Sequence, residues 1–389
     1  MSLNIAYIAR GKLHLKVNGT PVQVIDSEFG RALQERVLQS QRRNAWKSQG
    51  LIESFVSTRG LRKLNQTEDA TPQVAFTNLC RSAEGKLFYA LEAGEVGGIF
   101  SLDQASLSEQ RLFHTSDFTV RHLDLHSQQP LLACAISHRT GAVNIATMPI
   151  QGSRPFEITE GDSVDLAPHW VAGAARVLVY QSAGIGRDRN GYIRDQAPFT
   201  IEKLDLDRQQ ITTLLADPQF DLLGPQLTSD GTLYYIRRPY RPLHRRSGLL
   251  RTLLDIVMMP LWFLYAIFQW INFFTLRYTG KPLMTAGQPQ PMDVKQMMVW
   301  GNLIDAEQAA RRNRFGEADA PALVPRSWQL VRQRPAQQPE VLSEGVLAFD
   351  LAADGTLVYA NGSAVYCLPP SGVAERLVVD HLIEQVTIL

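Results

Sequence analysis

The chain of 389 residues contains one sequence pattern six times, spaced by about 45 residues wherever nothing is inserted. Each copy begins with a short apolar strand that ends in an aromatic or small residue, and an alternating hairpin follows. Repeated hairpins of this kind are typical of a β-propeller, in which each four-stranded sheet is a blade. We therefore predict an all-β fold, a six-bladed β-propeller that spans residues 1–389 as a single domain. The first strands are NIAYIA (4–9), EGKLFYA (84–90), QPLLACA (129–135), ARVLVYQ (175–181), DGTLYYI (230–236) and DGTLVYA (354–360).

The last segment of the chain, LIEQVTIL (382–389), alternates like a strand but has no hairpin after it. The first copy of the pattern, in contrast, lacks an inner strand. We expect the C-terminal strand to complete the N-terminal blade and close the ring, because closure removes the exposed sheet edges that promote aggregation.

Two intervals between copies are longer and predict helical insertions. The first, 27–50, has Asp26 or Ser27 as its expected N-cap. An amphipathic helix that packs on the propeller is expected here, and recruitment of another protein is the alternative. The residues that recur at four-residue intervals as one apolar stripe are Phe29, Leu33 and Val37.

The second insertion, 241–322, interrupts the fifth blade and contains the uncharged stretch IVMMPLWFLYAIFQWINFFTL (256–276). Its length is close to the roughly 20 residues that cross a bilayer. A single crossing would separate neighbouring blades and prevent ring closure, so we expect a hydrophobic helical arm (249–277) in the plane of the membrane or re-entering it. Beyond the arm, 302–314 predicts a short polar helix capped by Asn302.

The arm supplies two kinds of candidate contact residue for a membrane or a partner. Aromatic side chains favour the membrane interface, and the upstream basic run, which begins at Arg237 and Arg238, suits anionic headgroups. A partner's groove, a homo-oligomer contact and packing on the propeller are the alternatives. The predicted inserting groups are Trp262, Phe263, Tyr265, Phe268, Trp270 and Phe273, and the predicted headgroup contacts are Arg241, Arg245, Arg246 and Arg251.

The fourth copy has an acid, a proline and an aromatic residue before its repeated strand, and the fifth and sixth copies keep only the turn that leads into the strand. These motifs are Asp165, Pro168 and Trp170 before VLVYQSAG (177–184), together with SDGTLYY (229–235) and ADGTLVY (353–359). They resemble the TolB-type, WD-like family of six-bladed β-propellers over most of the chain. The resemblance implies the fold and no particular activity, because this fold hosts scaffolds, peptidase gates and enzymes.

The sharpest cluster of ligand-type side chains is His122, Asp124 and His126, which share one face of a strand. Two imidazoles and a carboxylate can bind zinc or iron, so a metal-binding or enzymatic site in the central channel is the alternative function. The sixth copy keeps the aspartate as Asp350 but has neither histidine. That difference favours a structural aspartate that accepts hydrogen bonds from loop amides.

Composition narrows the remaining function classes. The formal net charge of +1 provides no global field for nucleic acid, and three cysteines do not form a disulfide framework. The N-terminus lacks the features of a secretory leader, so a cytoplasmic location is expected. Nucleophile-elbow, phosphate-loop and dinucleotide motifs do not occur. We predict a cytoplasmic, membrane-peripheral scaffold without enzymatic activity or cofactor, with a protein partner on a propeller face and an anionic membrane surface.

Overall fold

A computed structural model describes residues 3–17, 19–39, 74–82, 84–94, 96–173, 175–242, 296–299, 302–305, 316–317 and 319–389. In these residues the structure is almost entirely β, with one helix, α1, over residues 28–39.

The strands form four separate four-stranded sheets, one nine-stranded sheet and two short hairpins in the described residues. The first sheet has the order β29-β1-β2-β3, with β1 (Ile5–Ala9), β2 (Lys12–Lys16), β3 (Gln23–Ile25) and β29 (Ile383–Ile388). The second contains β4 (Val74–Arg81), β5 (Leu87–Ala93), β6 (Val96–Leu102) and β7 (Glu109–Thr115). Two further sheets contain β17 (Phe220–Leu227), β18 (Leu233–Pro239), β23 (Gln329–Gln333) and β24 (Glu340–Glu344), and β25 (Ala348–Leu351), β26 (Leu357–Ala360), β27 (Ala364–Leu368) and β28 (Glu375–Val379).

The nine-stranded sheet consists of two antiparallel groups. The first group is β8 (Thr119–Leu125), β9 (Leu131–Ser137), β10 (Val143–Pro149) and β11 (Phe156–Glu157). The second is β12 (Ser163–Trp170), β13 (Val177–Arg187), β14 (Ile193–Gln196), β15 (Thr200–Asp205) and β16 (Gln210–Leu215). The two groups are joined by one parallel pair, Val143 of β10 with Val164 of β12. The short hairpins are β19 (Gln296–Val299) with β20 (Asn302–Asp305), and β21 (Gly316–Glu317) with β22 (Ala320–Pro321).

One strand at the start of each sheet or group contacts its counterparts in neighbouring sheets. In cyclic order these strands are β29, β4, β8, β12, β17 and β25, and we call them the inner strands. The strands at the other end of each sheet or group, β3, β7, β11, β16, β24 and β28, are called the outer strands. The inner strand β29 pairs antiparallel with β1, with Ile5 opposite Ile388 and Tyr7 opposite Val386, so the two ends of the chain share one sheet.

The hydrophobic core lies between neighbouring sheets, and this explains the continuous apolar runs in the sequence. Strands β5 and β9 bury almost every side chain, because each face of their sheet packs on a neighbour. Tyr89 of β5, Cys134 of β9 and Tyr180 of β13 are no more than 3% exposed. A strand covered on both sides has no need of polar alternation, and this is why the repeat is visible in the sequence.

Helix α1 begins where the sequence predicts. The Ser27 hydroxyl accepts the Gly30 N–H at 3.1 Å, and the Glu109 carboxylate accepts the Phe29 N–H at 3.0 Å. These bonds satisfy N–H groups that have no partner within the helix, and the carboxylate also complements the helix dipole. The Phe29 ring packs 5.0 Å from the Phe100 ring, so the first residue of the predicted stripe contacts the second sheet.

The structure corrects one predicted element and leaves another outside its description. Asn302–Asp305 is strand β20, paired with β19, so the predicted start of a helix at Asn302 is wrong, and residues 306–314 of that prediction lie outside the described residues. A two-residue connection containing Gly301 joins two apolar runs, which is a hairpin signal that outweighs Asn302 as a helix cap. The arm (249–277) and residues 40–50 of the first insertion lie outside the described residues. Helix α1, the helix that the structure describes, is not long and apolar enough to cross a membrane.

We predict that removal of the last eight residues abolishes cooperative folding, because β29 buries Ile383, Val386 and Ile388 at 0–3% exposure and pairs with β1. The milder change Val386→Ala should lower the free energy of unfolding by about 2 kcal/mol. The matched change Val379→Ala, at a position 43% exposed on β28, should cost less than about 0.5 kcal/mol. Urea denaturation measures both values, and a truncated chain that melts like the intact protein would contradict the role of β29.

Candidate functional site

Five inner strands contain a β-bulge at an equivalent place, and a polar residue follows each bulge. Bulges re-aim side chains, and here they turn the polar residue toward the neighbouring inner strand. In β12 and β17 the bulge contains a proline, Pro168 or Pro225, which a bulge tolerates because no ladder N–H is needed there. The residues before these prolines have positive φ, 49° at Ala167 and 57° at Gly224. The polar residues after the bulges are Asn78, His122, His169, Gln226 and Gln385.

Side chains on one sheet accept main-chain N–H groups from the next inner strand. Asn78 Oδ1 accepts the N–H of Leu123 at 2.7 Å, which joins β4 to β8. Asp124 Oδ2 accepts the N–H of Trp170 at 2.7 Å, which joins β8 to β12. Gln181, on the strand β13 that pairs with β12, accepts the N–H of Gly224 of β17 at 2.7 Å.

The same arrangement continues around the remaining strands. Gln226 Nε2 of β17 donates a long bond of 3.4 Å to Asp350 Oδ1 of β25. Asp350 Oδ2 accepts the N–H of Ile388 of β29 at 2.8 Å. Gln385 of β29 accepts the N–H of Leu79 at 3.0 Å and donates to its carbonyl at 2.9 Å, which joins β29 to β4. Side chains of the inner strands therefore join five of the six neighbouring pairs directly, and Gln181 of β13 joins β17 to the strand beside β12. The residues Asn78, Asp124, Gln181, Gln226, Asp350 and Gln385 are called the inner polar ring.

Charged groups of the ring lie close to His169, whereas His122 lies close to Arg121. His169 Nδ1 is 3.1 Å from Asp124 Oδ2, and although burial alone would lower the pKa of His169, the charge and hydrogen bond of Asp124 raise it. Burial raises the pKa of Asp350, and the amide of Ile388 and the charge of His169 oppose that shift. Burial lowers the pKa of His122 to about 3, with help from the charge of Arg121, so its imidazole is neutral at physiological pH.

The structure gives each member of the predicted metal set a different role. His126 Nε2 bonds the carbonyl of Ala175, and its Nδ1 accepts the N–H groups of Gln128 and Gln129 at 3.1 Å each. Asp124 bonds Trp170 and His169, as described above. Within the described part of the chain, no group of three or more histidine, cysteine or acidic side chains could hold a metal ion. His122, Asp124 and His126 therefore do not come together as ligands.

The two aspartates that the sequence links by their repeat position both accept main-chain amides. The donors belong to the neighbouring inner strands rather than to loops: Trp170 for Asp124 and Ile388 for Asp350. Each of these two carboxylates therefore holds a strand of the neighbouring sheet or strand group through one main-chain amide.

Glu384 is the bulged residue of β29, between Ile383 and Gln385 in the pairing with β1. Burial raises the pKa of its carboxyl to about 7. In the described residues no side chain donates a hydrogen bond or forms an ion pair with it. Because the cost of an ionised carboxylate here is not offset, the carboxyl of Glu384 holds its proton to a higher pH than an exposed glutamate does.

The basic run before the arm is only partly available to a headgroup. Arg238 is 6% exposed, and its Nε donates to Asp221 Oδ2 at 2.9 Å, while its guanidinium lies 4.9 Å from the Trp328 ring. Arg237 donates to Gln329 Oε1 at 2.8 Å across the β18–β23 pair. These two arginines belong to the sheet, a correction to the predicted basic run.

Of the remaining predicted contact residues, the structure describes only Arg241. Arg241 is exposed two residues after β18. The other predicted arginines and all the predicted inserting groups lie outside the described residues: Arg245, Arg246, Arg251, Trp262, Phe263, Tyr265, Phe268, Trp270 and Phe273.

Sequence interpretation missed most of the inner polar ring. Asn78, Gln181, Gln226 and Gln385 lie in strands of mixed composition and form no motif by spacing. A proline followed by a polar residue inside a strand is the signal that could have found Gln226 of the ring, after Pro225, and also His169 beside Asp124, after Pro168.

No protein-family model and no curated protein matches this chain. Among solved structures, TolB from Acinetobacter baumannii matches 99% of this chain at 9% sequence identity and a TM-score of 0.50, and this chain spans 66% of that protein's length. A putative TolB from Agrobacterium tumefaciens matches 81% of this chain and 86% of its own, at 14% identity and a TM-score of 0.42. A chain of the nidogen/laminin complex matches 99% of this chain and 97% of its own, at 8% identity and a TM-score of 0.48. The fold of this chain is similar to that of TolB-type β-propellers, as the sequence resemblance implied.

We predict that Glu384→Gln stabilises the protein at pH 8 and has little effect at pH 4.5. The folded carboxyl has a pKa of about 7 and its ordinary value is 4.5. Between these values the unfolded chain loses its proton first, so the fold becomes less stable as pH rises, and the amide removes that penalty. The gain at pH 8 should be on the order of 2–3 kcal/mol.

The control for this prediction is Glu375→Gln, the same change at an exposed position of β28. Thermal denaturation at the two pH values measures both variants. A stability gain for Glu384→Gln that is equal at pH 4.5 and pH 8 would contradict a titrating Glu384.

Proposed function

We propose that this chain is a six-bladed β-propeller, closed by its C-terminal strand, that acts as a non-enzymatic scaffold. In this proposal one face of the ring binds a protein partner, and the arm (249–277) holds the ring at an anionic membrane surface. The observation that carries the proposal is the inner polar ring, because its side chains join the sheets and are not left for chemistry.

The contacts of the inner strands support a closed ring of six blades. The six strands contact one another cyclically, and β29 both pairs with β1 and donates the N–H of Ile388 to Asp350. Each bond removes an unpaired N–H at the inner edge of a sheet, and such groups are costly when buried.

The bonding of His126 and Asp124 favours the scaffold over a metal or enzymatic site at the centre. A histidine binds a metal through a ring nitrogen with a free lone pair. In His126 the Nδ1 lone pair accepts two main-chain N–H groups, and Nε2 bonds a carbonyl oxygen. A metal at this position would have to displace main-chain bonds at the ends of two strands.

The strands that flank the second insertion support an arm with both ends on one side of the membrane. Strands β18 and β23 lie directly before and after the insertion and pair with each other, with Arg237 opposite Gln329. The returning chain also packs on the ring, since the N–H of Leu323 donates to the carbonyl of Asn361 at 2.9 Å. A segment that leaves and rejoins the same edge of one sheet cannot cross a bilayer once without breaking that sheet.

The composition of the arm supports a lipid surface as its partner. The stretch 256–276 contains no charged residue and carries Trp262, Tyr265 and Trp270. An apolar segment with aromatic residues beside a basic run suits the headgroup boundary of an anionic bilayer. Arg241, Arg245, Arg246 and Arg251 are the headgroup contacts in this proposal, and each contributes about 1 kcal/mol near an anionic surface.

Liposome flotation of the intact protein and of a variant with 247–278 replaced by a Gly/Ser linker tests the proposal. We expect the intact protein to float with vesicles that contain phosphatidylserine and to float less with pure phosphatidylcholine. The linker variant should remain at the bottom in both cases. Circular dichroism and thermal denaturation provide the control that the variant is folded.

Two outcomes would overturn the membrane role. If neither protein floats while the variant is folded, the arm does not bind lipid. If both float equally, the ring binds lipid without the arm.

A further variant, in which Arg245, Arg246 and Arg251 are changed to glutamine, should keep the apolar segment and lose the dependence of flotation on phosphatidylserine.

A further inference from the structure

The outer strands present the free edges of their sheets, and most of them are protected against pairing with another chain. Free edges are commonly blunted by short length, charge or a covering element. Strands β3 and β11 are three and two residues long. Strand β7 contacts α1, since Arg111 lies 5.8 Å from the Phe29 ring and Glu109 caps the helix. Strands β24 and β28 carry charged side chains, Glu340 and Glu344 in one and Glu375 and Arg376 in the other.

Strand β16 has none of these protections. Its sequence, QITTLL, is six residues long and contains no charge and no proline, and five of its six residues are exposed. Ile211 is 52% exposed and Leu214 is 39% exposed. The sheet ends at β16, and no strand in the described residues pairs with its outer edge. An uncharged edge with β-branched residues is a template for another strand.

A second observation points to an occupant at the same place. Strands β7, β16, β24 and β28 each have a bulge at an equivalent leucine. In three of these strands that leucine is partly buried and packs on a core cluster: Leu112, Leu342 and Leu377. Leu214 of β16 is the exposed member of this set. Its apolar surface lies beside the free edge, where a neighbouring strand would cover it.

We propose that two copies of this chain associate through β16, with the two strands antiparallel about a two-fold axis perpendicular to the sheet. Directly opposed residues of antiparallel strands lie on the same face of the sheet, and side chains alternate between faces along a strand. Such an axis must therefore pair odd-numbered residues with odd-numbered ones and even-numbered residues with even-numbered ones. An axis at Thr212 places Thr212 opposite its own copy and Ile211 opposite Thr213. These are neutral, β-branched pairs of the kind that stabilise sheets.

Charge favours β16 over β24 for this contact. The opposed residues of β16 are uncharged, so two copies meet without repulsion. If two copies paired through β24 about a two-fold axis at Leu342, Glu340 of one copy would lie opposite Glu344 of the other. Like charges directly opposite one another destabilise a sheet. A single strand pair buries little surface, so the dimer forms reversibly and its population depends on concentration.

Sedimentation velocity of the intact chain in detergent-free buffer, across a range of micromolar concentrations, tests the proposal. We expect a monomer–dimer equilibrium that Thr212→Lys weakens by at least tenfold, because two lysines then face each other at the axis. Val341→Lys, at a position 42% exposed on β24, is the matched control and should leave the equilibrium unchanged. Both positions are exposed, so thermal denaturation should find both variants folded.

A disulfide at the axis provides a second measurement. On a Cys367→Ser background, Thr212→Cys should form an intermolecular disulfide under mild oxidation, because cross-strand Cα atoms are about 4.5–5.5 Å apart. Val341→Cys should not. Three outcomes overturn the proposal: an intact chain that is monomeric at every concentration, association that persists unchanged in Thr212→Lys, or equal cross-linking at the two positions. Persistent association in Thr212→Lys that disappears when 247–278 is replaced would assign self-association to the arm instead.

Discussion

The N–H groups at the inner edges of the sheets are the constraint on which the rest of the structure depends. Apart from the single parallel pair between β10 and β12, an inner strand has a partner strand on one side only, and its other edge faces the neighbouring sheet or strand group. An N–H buried there without an acceptor costs about 1–3 kcal/mol. Asn78, Asp124, Gln181, Asp350 and Gln385 accept these groups, and each acceptor belongs to a different sheet or strand group from its donor. Hydrophobic packing brings the sheets together, and these bonds fix which strand faces which.

The bulges explain how side chains in regular strands can reach across to the next sheet. A strand without a bulge directs its side chains above and below its own sheet, whereas a bulge re-aims one of them. The polar side chains of the inner strands are used for bonds between strands, and this determines their role at the centre of the fold. His126 and Asp124 bond main-chain groups, and His169 bonds Asp124, so the groups that resemble a metal site in sequence hold strands together. The proposed interactions therefore involve the exposed edge of β16 and the predicted arm (249–277) instead of the centre.

The sequence predicted the elements whose signal is local. The β-propeller fold could be inferred because strands buried on both faces have continuous apolar runs, and Ser27 could be identified as a cap because its acceptor role involves residues three positions apart. Other features depend on distant contacts. Arg238 is part of a basic run in sequence, yet Asp221 and Trp328 remove it from the surface. Gln385 bonds Leu79, which is 306 residues away, and no local pattern indicates such a pair. The start of the predicted helix at Asn302 was misassigned because the polar composition of that segment was given more weight than the hairpin connection before it.

Hydrogen exchange of individual main-chain amides tests the central claim most directly. The N–H groups of Leu79, Leu123, Trp170, Gly224 and Ile388 have side-chain acceptors on a neighbouring sheet and no strand partner at that edge. If these bonds hold the inner strands together, the five amides should exchange as slowly as amides inside β5 and β9, through global unfolding. Exchange at the rate of exposed loop amides would contradict the account, because the sheets would then be held by hydrophobic packing alone.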